Sequence, residues 1–181
     1  MSPKKEIKSA DDLLKIIREE KERPEFNAPV MKKNYKPVYL DGSNISNYQK
    51  GGYPSFAQLK LVIEKVLESG YHPVTVICDA NLRFLLKEHI NVSNLDECDC
   101  EFCEATSNQY LRVMNKKISF FECKPRTDAD IEIIQSAAHE GARIVTNDNY
   151  LEYVEKYPLL SSKDWQIKFD IQEENVKLIT K

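Results

Sequence analysis

The sequence predicts an α/β fold, a three-layer sandwich with a mostly parallel central sheet. Two observations carry that expectation. Three apolar runs each lead into an aspartate: Val38, Tyr39 and Leu40 into Asp41; Val74, Thr75, Val76 and Ile77 into Cys78 and Asp79; Ala142, Arg143, Ile144, Val145 and Thr146 into Asn147 and Asp148. Stretches of helical periodicity separate the runs, which makes parallel strands with right-handed helical crossovers. In an open parallel sheet the carboxyl ends of the strands form one edge, and ligands bind there, so acids distant in sequence are expected to meet. Carboxylates crowded into a cleft repel one another unless a cation lies between them, so the expected ligand is a hard divalent ion.

Taken in order, residues 1–36 read as an N-terminal extension. Leu13, Leu14, Ile16 and Ile17 mark a short amphipathic helix with Asp11 near its start, suited to packing on the domain or on a partner. Pro24, Pro29 and Pro37 break regular structure before the first strand. After that strand Ser55 is placed to cap a helix whose Phe56, Leu59, Val62, Ile63, Val66 and Leu67 share one face, and Gly70 ends it. Residues 82–89 read as helical, residues 107–115 as a further helix, and residues 118–122 as a short third strand rich in phenylalanine. Asp130 opens a helix that turns Ile131, Ile134, Ala137 and Ala138 inward, and Gly141 closes it ahead of the strand at 142–146. A helix is expected over 150–156, before Pro158, and residues 165–179 alternate enough for one or two edge strands. The main domain is expected to span 37–181.

Composition narrows the function. The chain has 181 residues, 41% hydrophobic and 30% charged, a globular balance that suits one domain with an extension. No run approaches the roughly 18 to 20 apolar residues of a membrane span, and the first ten residues lack the apolar stretch of a signal peptide. The expectation is a soluble, intracellular, cytoplasmic protein. A net charge of -3 gives no global basic field for nucleic acid, so any nucleic-acid substrate would be held by local cations and a bridging metal. There are five cysteines. Cys98, Cys100 and Cys103 fall at a spacing that suits structural Zn2+, with Cys123 or His89 as fourth ligand. Against zinc stand Asp96, Glu97, Asp99, Glu101 and Glu104, whose charge disfavours thiolates, and the lack of a second paired Cys-x-x-Cys. The sequence therefore favours a loop of reduced thiols.

The motifs also match a known pattern. Asp41-Gly42-Ser43-Asn44, Arg83 after the second strand, Thr127-Asp128-Ala129-Asp130 opening a helix, and Thr146-Asn147-Asp148-Asn149-Tyr150 resemble the NYN branch of PIN-like ribonucleases. The likeness is closest to the Regnase-type catalytic domain, which begins on the same Asp-Gly-Ser-Asn and ends on Ser-Asn-Asp-x-Tyr, and it covers roughly 37–157. That resemblance implies a PIN-like fold and Mg2+- or Mn2+-dependent endoribonuclease activity on single-stranded or looped RNA. Carried over by position, Asp41 is the central metal ligand, Asp130 and Asp148 are further metal-holding acids, and Asp128 is a neighbour that could join them. Asn44 would orient the scissile phosphate or a metal-bound water. Arg83 falls near the phosphate path, and Lys124, Arg126 and Asn147 are candidates for gripping RNA beside it. The chain departs from the pattern in having no downstream CCCH zinc finger, and in carrying Asp79 where those proteins have Val-Pro.

Other chemistries fit less well. A metal-dependent adhesion site needs Asp-x-Ser-x-Ser and meets Ile45 at its last position, while a haloacid-dehalogenase-type phosphatase needs Asp-x-Asp and meets Ser43. The remaining rival is a PIN-like module that binds nucleic acid or protein without turning it over.

Overall fold

The computed structural model describes residues 36–49 and 52–180, all within the compact unit Tyr35–Lys181. The helix expected around Leu13 and Ile17 lies outside the described residues.

Seven strands make one sheet: β1 (Val38–Asp41), β2 (Val74–Cys78), β3 (Tyr110–Val113), β4 (Lys116–Glu122), β5 (Arg143–Val145), β6 (Gln166–Gln172) and β7 (Asn175–Thr180), in the order β3-β4-β2-β1-β5-β6-β7. β4, β2, β1, β5 and β6 run parallel, and β3 and β7 close the two edges antiparallel. Leu40 pairs with Val76 on one side and Val145 on the other, so the ends of β2 and β5 flank Asp41 at one level.

The central strands are buried on both faces, which is why they read as continuous apolar runs rather than alternating ones. Val38 and Leu40 point to one layer, where α2 (Phe56–Glu68) buries Leu59, Val62, Ile63 and Val66. Each such side chain contributes roughly 1.5–3 kcal/mol of transfer free energy. α4 (Glu101–Asn108) joins this layer through Phe102, which packs edge-on between Phe56 and Phe120. Tyr39 points to the opposite layer, where α5 (Ala129–Glu140) buries Ile133, Ile134 and Ala137. Glu88 finishes the start of α2, accepting from Ser55 Oγ and the Phe56 N–H at 3.1 Å each, so the expected cap residue is itself held by a distant acid. Gly141, at φ 62°, lets α5 end in the left-handed region that other residues enter at a cost.

Four expectations need correction. Residues 107–115 are not one helix: α4 starts earlier, inside the acidic cysteine stretch, and stops at Gln109 with φ 56°. Tyr110–Val113 is then a strand with Leu111 and Val113 inward, and Met114 and Asn115, both at positive φ, make the tight turn into β4. The 150–156 helix shrinks to a single turn, Leu151–Tyr153, because Tyr150 itself is left-handed. Residues 165–179 hold two strands, but β6 lies inside the sheet beside β5 and only β7 is an edge. The 82–89 segment keeps one helical turn, α3 (Leu82–Leu85), followed by a tighter turn at Lys87–His89.

Gly42 opens the short helix α1 (Gly42–Ser46) where it presses on β2. A Cβ there would meet Cys78 Sγ at 2.3 Å, Val76 Cγ1 at 3.0 Å and the Ile77 carbonyl at 3.1 Å. Cys78 is fully buried. Gly42→Ala should therefore cost about 1–3 kcal/mol through overpacking, read as a lower urea midpoint at unchanged slope. A wild-type midpoint would contradict this packing.

Candidate active site at the carboxyl edge of the sheet

β1 delivers Asp41 to the edge with only 4% of its surface exposed. Its Oδ1 accepts from the Asn44 N–H at 2.9 Å, and its Oδ2 accepts from Thr146 Oγ1 at 3.0 Å and the Tyr150 hydroxyl at 2.8 Å. The rest of the Asp-Gly-Ser-Asn motif ties neighbouring strands to this point. Ser43 Oγ accepts from the Asp79 N–H at 2.9 Å, just beyond β2, and Asn44 Oδ1 accepts from the Asn147 N–H at 2.9 Å, just beyond β5. Gly42 supplies the close approach between them.

Asp148 lies on the β5 side. Its Oδ1 accepts from the Tyr150 N–H at 2.9 Å, and its own N–H donates to Thr146 Oγ1 at 3.1 Å. That turn sets Tyr150 at φ 49°, a conformation costing a tyrosine roughly 1–3 kcal/mol, and aims its buried ring across Trp165 toward Asp41. The third arm is the start of α5. Asp128 Oδ1 accepts from the N–H groups of Asp130 and Ile131, and its Oδ2 accepts from the Tyr153 hydroxyl at 2.7 Å. Asp130 follows on the first turn, and its carboxyl group accepts no hydrogen bond from the described residues.

The charges of these acids act on one another. Burial pushes the Asp130 pKa up to about 7, and the charges of Asp41, Asp128, Asp148 and Asp79 add to the shift. Burial likewise raises Asp41 above the ordinary carboxylate range, against the pull of its three donors. The Tyr150 hydroxyl is held protonated, by burial first and by the Asp41 charge next, so it remains a donor. Among the described residues no lysine or arginine pairs with any of these acids; the ion pairs fall elsewhere, at Lys60–Glu101, Lys65–Glu68 and Arg83–Glu122.

Such a donor set fits a hard divalent cation. Each carboxylate oxygen offers about two lone-pair sites, so Asp41 Oδ1 keeps one free, and Asp130 and Asp148 Oδ2 keep theirs. Asp128 accepts two donors on Oδ1 and one on Oδ2, the same number as Asp41, so it fixes the first turn of α5 and keeps a site on Oδ2. The acids do not form a closed cage, since the tight metal-ligand cluster among the described residues lies at His89. An open set of oxygens suits Mg2+ or Mn2+, which keep several waters and take further oxygens from phosphate.

Two expected RNA contacts are already committed. Asn147 Nδ2 donates to the Phe169 carbonyl at 2.9 Å and its Oδ1 accepts from the Phe169 N–H at 3.1 Å, so this amide imitates a peptide group and clasps β6. Arg83 donates from Nε to Glu122 at 2.9 Å and from a terminal nitrogen to Thr106 at 3.3 Å. Lys124 and Arg126 are exposed and, among the described residues, make no ion pair; both lie on the loop between β4 and α5. Beside them a groove of about 570 Å³ runs between β4 and α5, lined in part by Phe121, Cys123, Lys124 and Thr127. Sequence reasoning missed Thr146 and Tyr150 as site residues, although both stand in the Thr-Asn-Asp-Asn-Tyr motif. The spacing of Tyr150 from Asp148 was the signal.

Residues 34–177 match the Zc3h12a-like ribonuclease NYN domain. The chain belongs to that family. Its fold is PIN-like, and the same architecture recurs in two solved structures of the nuclear protein-only RNase P 2 of Arabidopsis thaliana. One is 19% identical with a TM-score of 0.57, the other 23% identical with a TM-score of 0.53, and each match covers 93% of this chain. The NYN chain spans only 34% and 35% of those structures, and at this identity the likeness establishes the fold alone. A comparison with curated proteins gave no match. Among the described residues no helix is long and apolar enough to cross a membrane.

The raised Asp130 pKa has a measurable consequence. Its ordinary value is 3.8, so between there and about 7 the folded, metal-free protein holds a proton that the unfolded chain has released. Stability then falls as pH rises through that window. Asp130→Asn removes the proton and the slope with it, so the melting temperature of wild type should fall relative to the variant between about pH 4 and 7 in EDTA. Parallel melting curves would contradict the burial and crowding of Asp130.

Proposed function

We propose that the chain is a Mg2+- or Mn2+-dependent endoribonuclease that cuts single-stranded or looped RNA. Residues 37–181 form its nuclease domain and residues 1–36 an extension. The observation that supports this reading is that Asp41 at the end of β1, Asp148 past β5 and Asp130 on the first turn of α5 face one sheet edge, where no lysine or arginine of the described residues pairs with them and Asp130 is raised by burial and then by the charges of its neighbours. Those three acids would hold the ion. When bound, the ion supplies a water of lowered pKa and offsets charge on the phosphate oxygens.

The remaining groups position the substrate and the acids. Asn44 has its Oδ1 fixed by the Asn147 N–H, which leaves its NH2 end for an anionic phosphate oxygen. Thr146 and Tyr150 hold Asp41 Oδ2 and favour its ionised form. Asp128 and Tyr153 set the first turn of α5, and with it Asp130. Phe121, 41% exposed in the groove beside Lys124, offers a ring on which an unpaired base can stack, a contact that base pairs in a duplex deny. Arg83 would reach phosphate only by giving up Glu122, so Lys124 and Arg126 are the better cations for the backbone. Five cysteines in no disulfide suit a reducing, intracellular setting.

The test is cleavage of a labelled single-stranded RNA with Mn2+ and with EDTA. Asp130→Asn and Asp148→Asn are the informative variants, because Asp41→Asn would also disturb the donors of Thr146 and Tyr150. Each should lose at least about 10²-fold in rate while melting cooperatively. Cutting that survives EDTA, or wild-type rates in both folded variants, would refute the assignment. A wild type inert in every divalent ion, yet still binding RNA, would identify a binding module instead.

A further inference from the structure

A second cluster lies apart from the acids, on the α2 side of the sheet. The side chains of His89, Cys98, Cys100 and Cys103 bring one ligand atom each within 4.8 Å of one another. His89 Nε2 is 3.0 Å from Cys100 Sγ and 3.6 Å from Cys103 Sγ. A tetrahedral zinc with bonds of about 2.0 Å to nitrogen and 2.3 Å to sulfur would set these groups roughly 3.5–3.8 Å apart, so small adjustments would seat it. A span this short suits a single ion.

The histidine is prepared for this role. His89 is buried, and its Nδ1 lies in hydrogen-bond contact with the Arg83 carbonyl, which can only accept. The proton therefore sits on Nδ1, and the Nε2 lone pair faces the thiols. Ligating histidines commonly carry this arrangement, in which a backbone carbonyl orients the ring. The fourth-ligand choice left open by the sequence falls to His89. Cys123 is placed elsewhere, with its N–H on the Cys78 carbonyl and its side chain on the groove beside α5.

The segment that carries the cluster also needs a fastening. From Ile90 to Glu101 no residue is buried, so this stretch has no core of its own. The five acids that argued against thiolates are all exposed, where water screens them.

We propose that His89, Cys98, Cys100 and Cys103 hold a structural zinc ion that pins the 87–103 segment to the sheet. The ion closes the loop by joining the turn after α3 to the start of α4. It also fixes the Arg83 backbone through His89, while the Arg83 side chain spans Thr106 on α4 and Glu122 on β4. The zinc thereby sets the wall of the domain next to the end of β4. This site is independent of the carboxylate site and of any activity assigned to it.

The test uses the full chain purified without chelators from zinc-supplemented cells. Elemental analysis should find about one zinc per chain. Replacing that zinc with Co2+ should produce the charge-transfer and visible bands of tetrahedral thiolate ligation. Cys100→Ser should lose most of the zinc and the cobalt bands, and Asp130→Asn should keep both, which separates the two sites. Should Cys100→Ser fail to fold, the cobalt spectrum of wild type still decides the matter. Wild-type protein that carries no zinc and shows no thiolate bands with Co2+ would overturn the proposal. So would zinc retained by folded Cys100→Ser but lost from Asp130→Asn, since the ion would then sit among the carboxylates.

Discussion

Asp41 is a carboxylate almost wholly removed from water, and the surrounding chain is arranged to make that tolerable. Burial of an unpaired carboxylate costs several kcal/mol, which hydrogen bonds to the charged form must offset. Three donors do so, from Asn44 on α1, from Thr146 after β5 and from Tyr150 beyond it. Each donor dictates a further feature. The Asn44 N–H is in reach only because α1 begins at once after β1, and α1 can begin there only because Gly42 has no side chain to strike Cys78. The Tyr150 hydroxyl is in reach only because the residue adopts a left-handed backbone, which its packing on Trp165 holds in place.

The same arrangement that fixes Asp41 gathers the other acids. Ser43 and Asn44 bind the chain just past β2 and β5, so Asp79 and Asp148 cannot drift from the edge. Asp128 anchors the first turn of α5 and presents Asp130 to the same space. Stability would favour a lysine or arginine among them, and none pairs there among the described residues. On the proposed function that repulsion has a use: a site held slightly unfavourable when empty would bind a cation with the free energy that relief provides. The cysteine cluster follows a different logic, for there soft ligands close around a position that an unsupported segment needs held.

The sheet and its chemical edge were legible because they rest on local, repeated signals. Apolar runs as short as Val38–Asp41, ending in acids, declare buried parallel strands, and the periodicity of 56–68 declares the crossover helix. What escaped the sequence was decided by contacts between distant segments. The 107–115 stretch has helical neighbours, and only the left-handed Gln109 and the turn at Met114 and Asn115 make it a strand. Asn147 looks like an RNA contact in its motif, but its amide is consumed by β6, whose position no local pattern reveals. The sequence offered His89 and Cys123 alike as the fourth ligand, and only the fold places His89, nine residues before Cys98, against the thiols.

The account rests on one ion shared by acids from three separate segments. Diffraction from crystals soaked in Mn2+, with the anomalous signal of manganese used to place it, tests that directly. The account predicts a peak at bonding distance from at least two of Asp41, Asp130 and Asp148, absent when the soak contains EDTA. No peak at this edge in crystals where all three side chains are ordered would contradict it.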